Sequence, residues 1–139
     1  MENIPSLLDE NVNFSFRKEE RLCSKKIIDK LFIEGTSFLV FPLKIQLLET
    51  ILPVPIPVQA AFTASKKGFK KAVDRNLLKR RMREAYRLNK HTLYLNLGEK
   101  QLAVFFIFIG KEISDYQQIE RAMKKALKKI HKQIVTEKE

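Results

Sequence analysis

Apolar positions along this chain recur at two spacings, one characteristic of helices and one of strands. Ser24 stands before Ile27, Ile28, Leu31 and Phe32, a helical repeat that stops at Gly35. That pattern predicts a first helix capped by Ser24 and ended by the glycine. Phe38 to Phe41 and Leu43 to Leu48 are rich in strand formers, and Pro42 between them lacks an amide donor, which predicts a sheet edge or a kink. Pro53, Pro55 and Pro57 forbid a helix and predict an extended loop, after which Val58 to Ser65 resumes as a strand. Lys66 to Lys71 reads as a basic loop around Gly68.

The segment Val73 to Leu88 predicts a second helix, since it is rich in Ala, Leu, Met, Arg, Lys and Glu and has no Gly or Pro. Leu102 to Ile109 is almost wholly apolar, as expected of a strand buried on both faces and ended by Gly110. Ser114 is placed to open a last helix, with Gln117 as its reciprocal cap, and Ile119, Met123, Ala126, Ile130 and Ile134 form one stripe on it. The order of elements predicts a two-layer α+β domain. A domain over residues 14–135 is expected, with a loose leader at 1–13 and a short tail at 136–139.

Charge changes the picture from fold to function. The 139 residues carry a formal net charge of +11, which favours a polyanionic partner through counterion release. Between Ala61 and His91 eleven Lys/Arg face only Asp74 and Glu84, a local excess of +9, whereas the rest of the chain has sixteen bases against fourteen acids. Charge concentrated in this way marks a site, because a surface built for solubility spreads it. No apolar run approaches the length of a membrane span, so no membrane is expected. The single Cys23 excludes a disulfide framework and a zinc cluster and fits a reduced thiol in a cytoplasmic protein.

Turned at about 100° per residue, the second helix sorts its residues. Leu77, Leu78, Met82, Ala85 and Tyr86 share a broad apolar sector that Asp74 and Arg81 interrupt. Opposite them Asn76, Lys79, Arg80, Arg83 and Arg87 share one arc, with Arg75 at its edge. Such a crowd of cations repels itself by a few tenths of a kcal/mol per neighbouring pair, which a partner's anions would relieve. Arginine adds a flat fork that grips phosphate with two hydrogen bonds. Lys66, Lys67, Lys70 and Lys71 lead into the helix N-terminus, whose free amides also favour phosphate.

The stretch from Ala64 to Arg87 resembles the signature segment of the bacterial ribonuclease P protein family: the pair Lys66-Lys67, a turn at Gly68, then Ala72-Val73, Arg75-Asn76, Lys79-Arg80 and Arg83-Glu84. Arg21-Leu22, Phe32 and Gly35 agree as well. The resemblance covers roughly residues 14 to 133. It implies a small mixed sheet of about four strands with three helices, and a left-handed β-α-β crossover, a hand that few parallel connections take. It further implies that Arg75, Asn76, Lys79, Arg80 and Arg83 lie against the RNA subunit of ribonuclease P. A cleft between the first helix and the sheet, with Ile28, Phe32, Lys44 and Gln46 at the matching positions, would hold the single-stranded 5′ leader of precursor tRNA. Three departures stand out: Leu77 replaces the third residue of an Arg-Asn-Arg motif, the turn from Gly68 to Ala72 is one residue longer than usual, and Ile28 replaces an aromatic.

No catalytic residue and no metal site are expected in the chain itself. His91 and His131 lie among lysines near helix ends, the acids are dispersed, and Tyr86, Tyr94 and Tyr116 lack catalytic context. By the resemblance, phosphodiester hydrolysis and its Mg²⁺ belong to the RNA subunit, and the partners are that RNA and the leader, with no obligate protein partner. The rival reading is a non-catalytic RNA-binding or ribosomal-type protein that uses the same helix as an anchor. A helix-turn-helix DNA binder is disfavoured, since no second helix stands within a short turn of Val73 to Leu88.

Overall fold

A computed structural model describes residues 15–95 and 97–138, with residues 135–138 described in their backbone alone; the leader at 1–13 lies outside them. Helix α1 spans Lys25–Glu34, strands β1, β2 and β3 span Thr36–Val40, Leu43–Glu49 and Val58–Ala64, helix α2 spans Ala72–Tyr94, strand β4 spans Leu102–Phe108 and helix α3 spans Tyr116–Lys138. The sheet order is β1-β2-β4-β3. β1 pairs antiparallel with β2 and β2 with β4, while β3 runs parallel to β4. The sheet is therefore mixed, and α2 makes the β3-to-β4 crossover.

Strand alternation divides the core. Leu43, Ile45, Leu47, Val58, Ala60, Val104, Phe106 and Phe108 point to one face and pack with the buried stripes of α2 and α3. Ala61, Ala103, Phe105 and Leu48 point to the other and pack with Leu22, Ile27, Ile28 and Leu31. The two-layer expectation describes the side of α2 and α3; α1 lies on the opposite face. Leu102 to Ile109 was expected to be buried on both faces, yet Phe105 and Ile107 are only half-buried, because α1 is too short to cover the second face.

Several ends fall elsewhere than expected. β1 begins at Thr36 rather than Phe38, and Pro42 sits in the turn that joins this edge strand to β2, after a cis peptide bond. The strand before the basic loop ends at Ala64 rather than Ser65. α3 is capped one residue later than predicted: Asp115 Oδ1 accepts from the Gln118 amide at 2.8 Å, and Gln118 Oε1 accepts from the Asp115 amide at 3.3 Å. Residues 136–138, expected as a tail, continue the α3 backbone. Gly35 ends α1 as expected, but not through a left-handed turn: a Cβ there would lie 2.4 Å from the Leu31 carbonyl and 2.6 Å from that of Leu47. Close approach of helix and strand is what requires glycine.

α2 runs six residues past its predicted end at Leu88 because a buried ion pair holds its last turns. Lys90, 2% exposed, pairs with Glu20, 7% exposed. Tyr94 Oη donates to the same carboxylate at 2.9 Å and the Arg17 amide donates to it at 3.0 Å. Burial alone would raise the Glu20 carboxyl, but these donors together hold it below its ordinary value of 4.5. A depressed acid contributes stability above its unfolded pKa that is lost as pH falls through the folded one. Glu20→Gln, which leaves Lys90 buried without its counter-charge, is expected to remove about 3–5 kcal/mol at neutral pH. Below pH 4.5 the stability of the two proteins should converge, as read from urea midpoints across the range; parallel curves would contradict this account.

Candidate RNA interface

The amphipathic split of α2 places the basic residues. Leu78, Met82, Ala85 and Tyr86 are buried against β3, β4 and α3. Asn76, Arg80 and Arg83 are exposed and Arg87 half-buried, four residues at i, i+4, i+7 and i+11, which is one straight stripe on a helix. Lys79 flanks the stripe, half-buried. Lys66, Lys67, Lys70 and Lys71 are exposed in the loop immediately before the helix, and no side chain caps the first turn of α2. A helix N-terminus without a side-chain cap favours an anion and adds to the charge of the loop before it.

Three of the arginines do something the pattern alone did not show. Arg75 folds back, its Nη1 donating to the Phe69 carbonyl at 2.7 Å and the Lys70 carbonyl at 3.0 Å. It shapes the basic loop, with Phe69 tucked beneath against the Phe108 ring at 5.7 Å between centroids. Arg81, the interruption in the apolar sector, donates to the Ser114 carbonyl at 2.6 Å and ties α2 to the start of α3. Arg87 grips Glu84 with two nitrogens, Nε at 3.2 Å, and this contact holds the Glu84 carboxyl below its ordinary range. Both side chains are partly exposed, so the pair is worth no more than about 1 kcal/mol and can exchange for a phosphate. Asp74 sits in the first turn, where its charge suits the helix dipole.

The second candidate surface is the face of the sheet that α1 leaves open. Phe32 is 45% exposed and meets Phe105 edge-on, with centroids 5.4 Å apart. Lys44, half-buried, lies opposite Ile107 on β4 and Leu39 on β1. Leu39 is 60% exposed, so apolar and aromatic surface surrounds one lysine. One residue expected here lies under it instead. Gln46 is buried and its Nε2 donates to the Leu31 carbonyl at 3.4 Å. Ile28, half-buried, packs with Leu31 and Ala103 at the contact between α1 and the sheet. Half-buried Phe105 and Ile107 and exposed Leu39 join Phe32 and Lys44 on this surface. Sequence reading missed them because a continuous apolar run looks the same whether one face or both are covered.

Among the described residues no group of three or more His, Cys, Asp or Glu is placed to hold a metal ion. His131 bonds the Leu95 carbonyl at 2.9 Å, just past the end of α2. No described helix is long and apolar enough to cross a membrane.

The profile of the family described as Ribonuclease P matches residues 16–131. The chain belongs to the ribonuclease P protein family. It is 38% identical over 124 residues to the ribonuclease P protein component of Porphyromonas gingivalis, covering 84% of this chain and 87% of that protein. With the component of Chlorobium phaeobacteroides it shares 36% identity over 125 residues, 78% of this chain and 86% of the other. Its fold is similar to the RNase P protein of Thermotoga maritima, with a TM-score of 0.64 at 24% identity over 80% of this chain and 97% of that one. The Staphylococcus aureus RNase P protein gives 0.60 at 20% identity over 78% and 93%. In this member of the ribonuclease P protein family, the turn from Gly68 to Ala72 is held in shape by Arg75 and Phe69.

Arg75→Ala should release that turn. Hydrogen bonds from a charged donor are worth about 1.5–3 kcal/mol each, so the Phe69 amide, which bonds the Ser65 carbonyl at 3.0 Å, should exchange roughly tenfold faster with solvent deuterium. Unchanged protection of residues 66–71 would show that the loop holds itself.

Proposed function

We propose that this chain acts as the protein subunit of ribonuclease P, with residues 14–135 as a single RNA-binding domain that brings catalytic RNA and precursor tRNA together for removal of the 5′ leader. The observation that carries the reading is the stripe Asn76, Arg80, Arg83, Arg87 on α2, its first three residues exposed and the last half-buried, which follows directly on the lysine loop. We assign it to the phosphates of the RNA subunit. Arg80 stands one turn from Asn76 on that stripe and takes the place left by Leu77, since Arg81 is turned toward Ser114. The open sheet face around Phe32, Phe105 and Lys44 is assigned to the leader: bases of a single strand stack on exposed aromatics, and one lysine tracks the backbone. Gln46 supports that surface from below, and Ile28, half-buried, packs at its α1 side.

Phosphodiester hydrolysis and the Mg²⁺ that serves it are assigned to the RNA. The protein contributes charge and position. Its cations lower the repulsion between two polyanions, and the leader shelf holds the scissile bond in register. No further protein partner is required, and a cytoplasmic setting suits the exposed free thiol of Cys23.

The deciding experiment is cleavage of precursor tRNA by a bacterial ribonuclease P RNA at low Mg²⁺. Addition of this protein is expected to restore processing, whereas an RNA anchor of the ribosomal type leaves it unrestored. Arg80→Ala with Arg83→Ala should weaken binding of the RNA subunit and reduce the slope of log K against log salt by about two phosphate contacts' worth; an unaltered slope would refute the assignment of the stripe. Phe32→Ala should reduce affinity for leader-bearing substrate by roughly the 1–3 kcal/mol of one stacked base while leaving mature tRNA unaffected, and equal losses on both would remove the leader from this face.

A further inference from the structure

α3 carries a second concentration of charge, separate from that of α2. Arg121, Lys124, Lys125, Lys128, Lys129 and Lys132 are all exposed, and no acid lies between Arg121 and Ile134. Among the described residues only Lys129 of these six has a partner, the Phe38 ring at 4.9 Å. With Ile119, Met123, Ala126 and Ile130 as the buried stripe, the six cations fall on the opposite side in an arc roughly 140° wide.

This arc does not merge with the stripe on α2. Besides their shared apolar core, α2 is tied to α3 and the residue stretch before it by Arg81 and Asn89, which bond Ser114 and Glu120, and the stripe of α2 points almost half a turn away from those two residues. On α3, Glu120 and His131 make polar contacts to Asn89 of α2 and to the Leu95 carbonyl past its end, and both lie about a quarter turn from the centre of the lysine arc. Two cationic faces that diverge need two sets of anions.

We propose that the outer face of α3 docks on a second helical segment of the ribonuclease P RNA, gripping its backbone while α2 grips the first. The inference rests on the function proposed above. Charge complementarity carries it: the row from Arg121 to Lys132 is about 16 Å long at 1.5 Å per residue, and a double helix presents closely spaced phosphates along its axis, about one charge every 1.7 Å in duplex DNA. Five of the six cations are lysines, compact charges on flexible stems that need no fixed register, as suits a regular backbone, whereas α2 uses arginine forks. The side of the molecule selects the RNA subunit over the substrate. α3 and α2 lie on one face of the sheet and the shelf around Phe32 and Phe105 lies on the other.

The test uses the full chain with Lys124→Gln, Lys128→Gln and Lys132→Gln combined, bound to the RNA subunit without substrate over a range of salt. The slope of log K against log salt should fall by about 2 to 3, at roughly 0.9 per phosphate, and hydroxyl-radical protection should vanish from nucleotides other than those lost with Arg80→Ala and Arg83→Ala. Circular dichroism should be unchanged. An unaltered slope, lost protection that coincides with that of the α2 variant, or an effect that emerges only with precursor tRNA would each overturn the proposal. If the α2 variant is silent as well, the RNA-subunit reading itself falls; if only the α3 variant is silent, this inference alone does.

Discussion

One helix has to satisfy two opposed demands, and the rest of the molecule follows from how it does so. The inner side of Ala72–Tyr94 must bury Leu78, Met82, Ala85 and Tyr86 against the sheet. Its outer side must hold Asn76, Arg80 and Arg83 in water, where like charges repel. Burial of apolar area, at about 25 cal/mol per Å², fixes the helix in place, and that fixity is what keeps the cations on one side. A helix free to roll would scatter them.

The surroundings reinforce the same orientation. Arg81 ties α2 to the start of α3 through the Ser114 carbonyl, and Asn89 reaches Glu120 farther along. At the far end the Lys90 and Glu20 pair clamps the last turns to the segment before α1. At the near end Arg75 holds the lysine loop. Each is a polar contact at the edge of an apolar seam, so the helix can neither slide nor rotate without leaving a buried charge or carbonyl unmet. The sheet performs a related division: one face takes α2 and α3, and the other is shared between α1 and open aromatic surface. The helical face and the open aromatic face therefore lie on opposite sides of a small domain.

Much of this was legible in the sequence, because 3.6-residue periodicity and charge sorting are local properties. The α2 stripe, the strand blocks, the Ser24 cap and the apolar row on α3 all follow from near-neighbour spacing. What was not legible depends on residues far apart. Lys90 reads as a surface base until Glu20, seventy positions earlier, is brought beside it, which is why the helix was expected to stop at Leu88. Gln46 shares a strand face with Lys44 but lies beneath α1, a fact set by helix length. Arg75 and Arg87 are arginines on or beside the arc by spacing, yet one shapes a loop and the other holds Glu84.

The central claim is that the outer face of α2 lies on the RNA subunit. Hydroxyl radicals generated from a tethered iron chelate test it most directly, with Cys23 replaced by serine and a single new cysteine at Arg80→Cys or, separately, at Leu39→Cys. The account predicts cuts confined to one region of the RNA subunit from position 80 before any substrate is added, and cuts in the precursor leader from position 39. Cuts from position 80 that are dispersed over the RNA, or that arise only in the substrate, would contradict it.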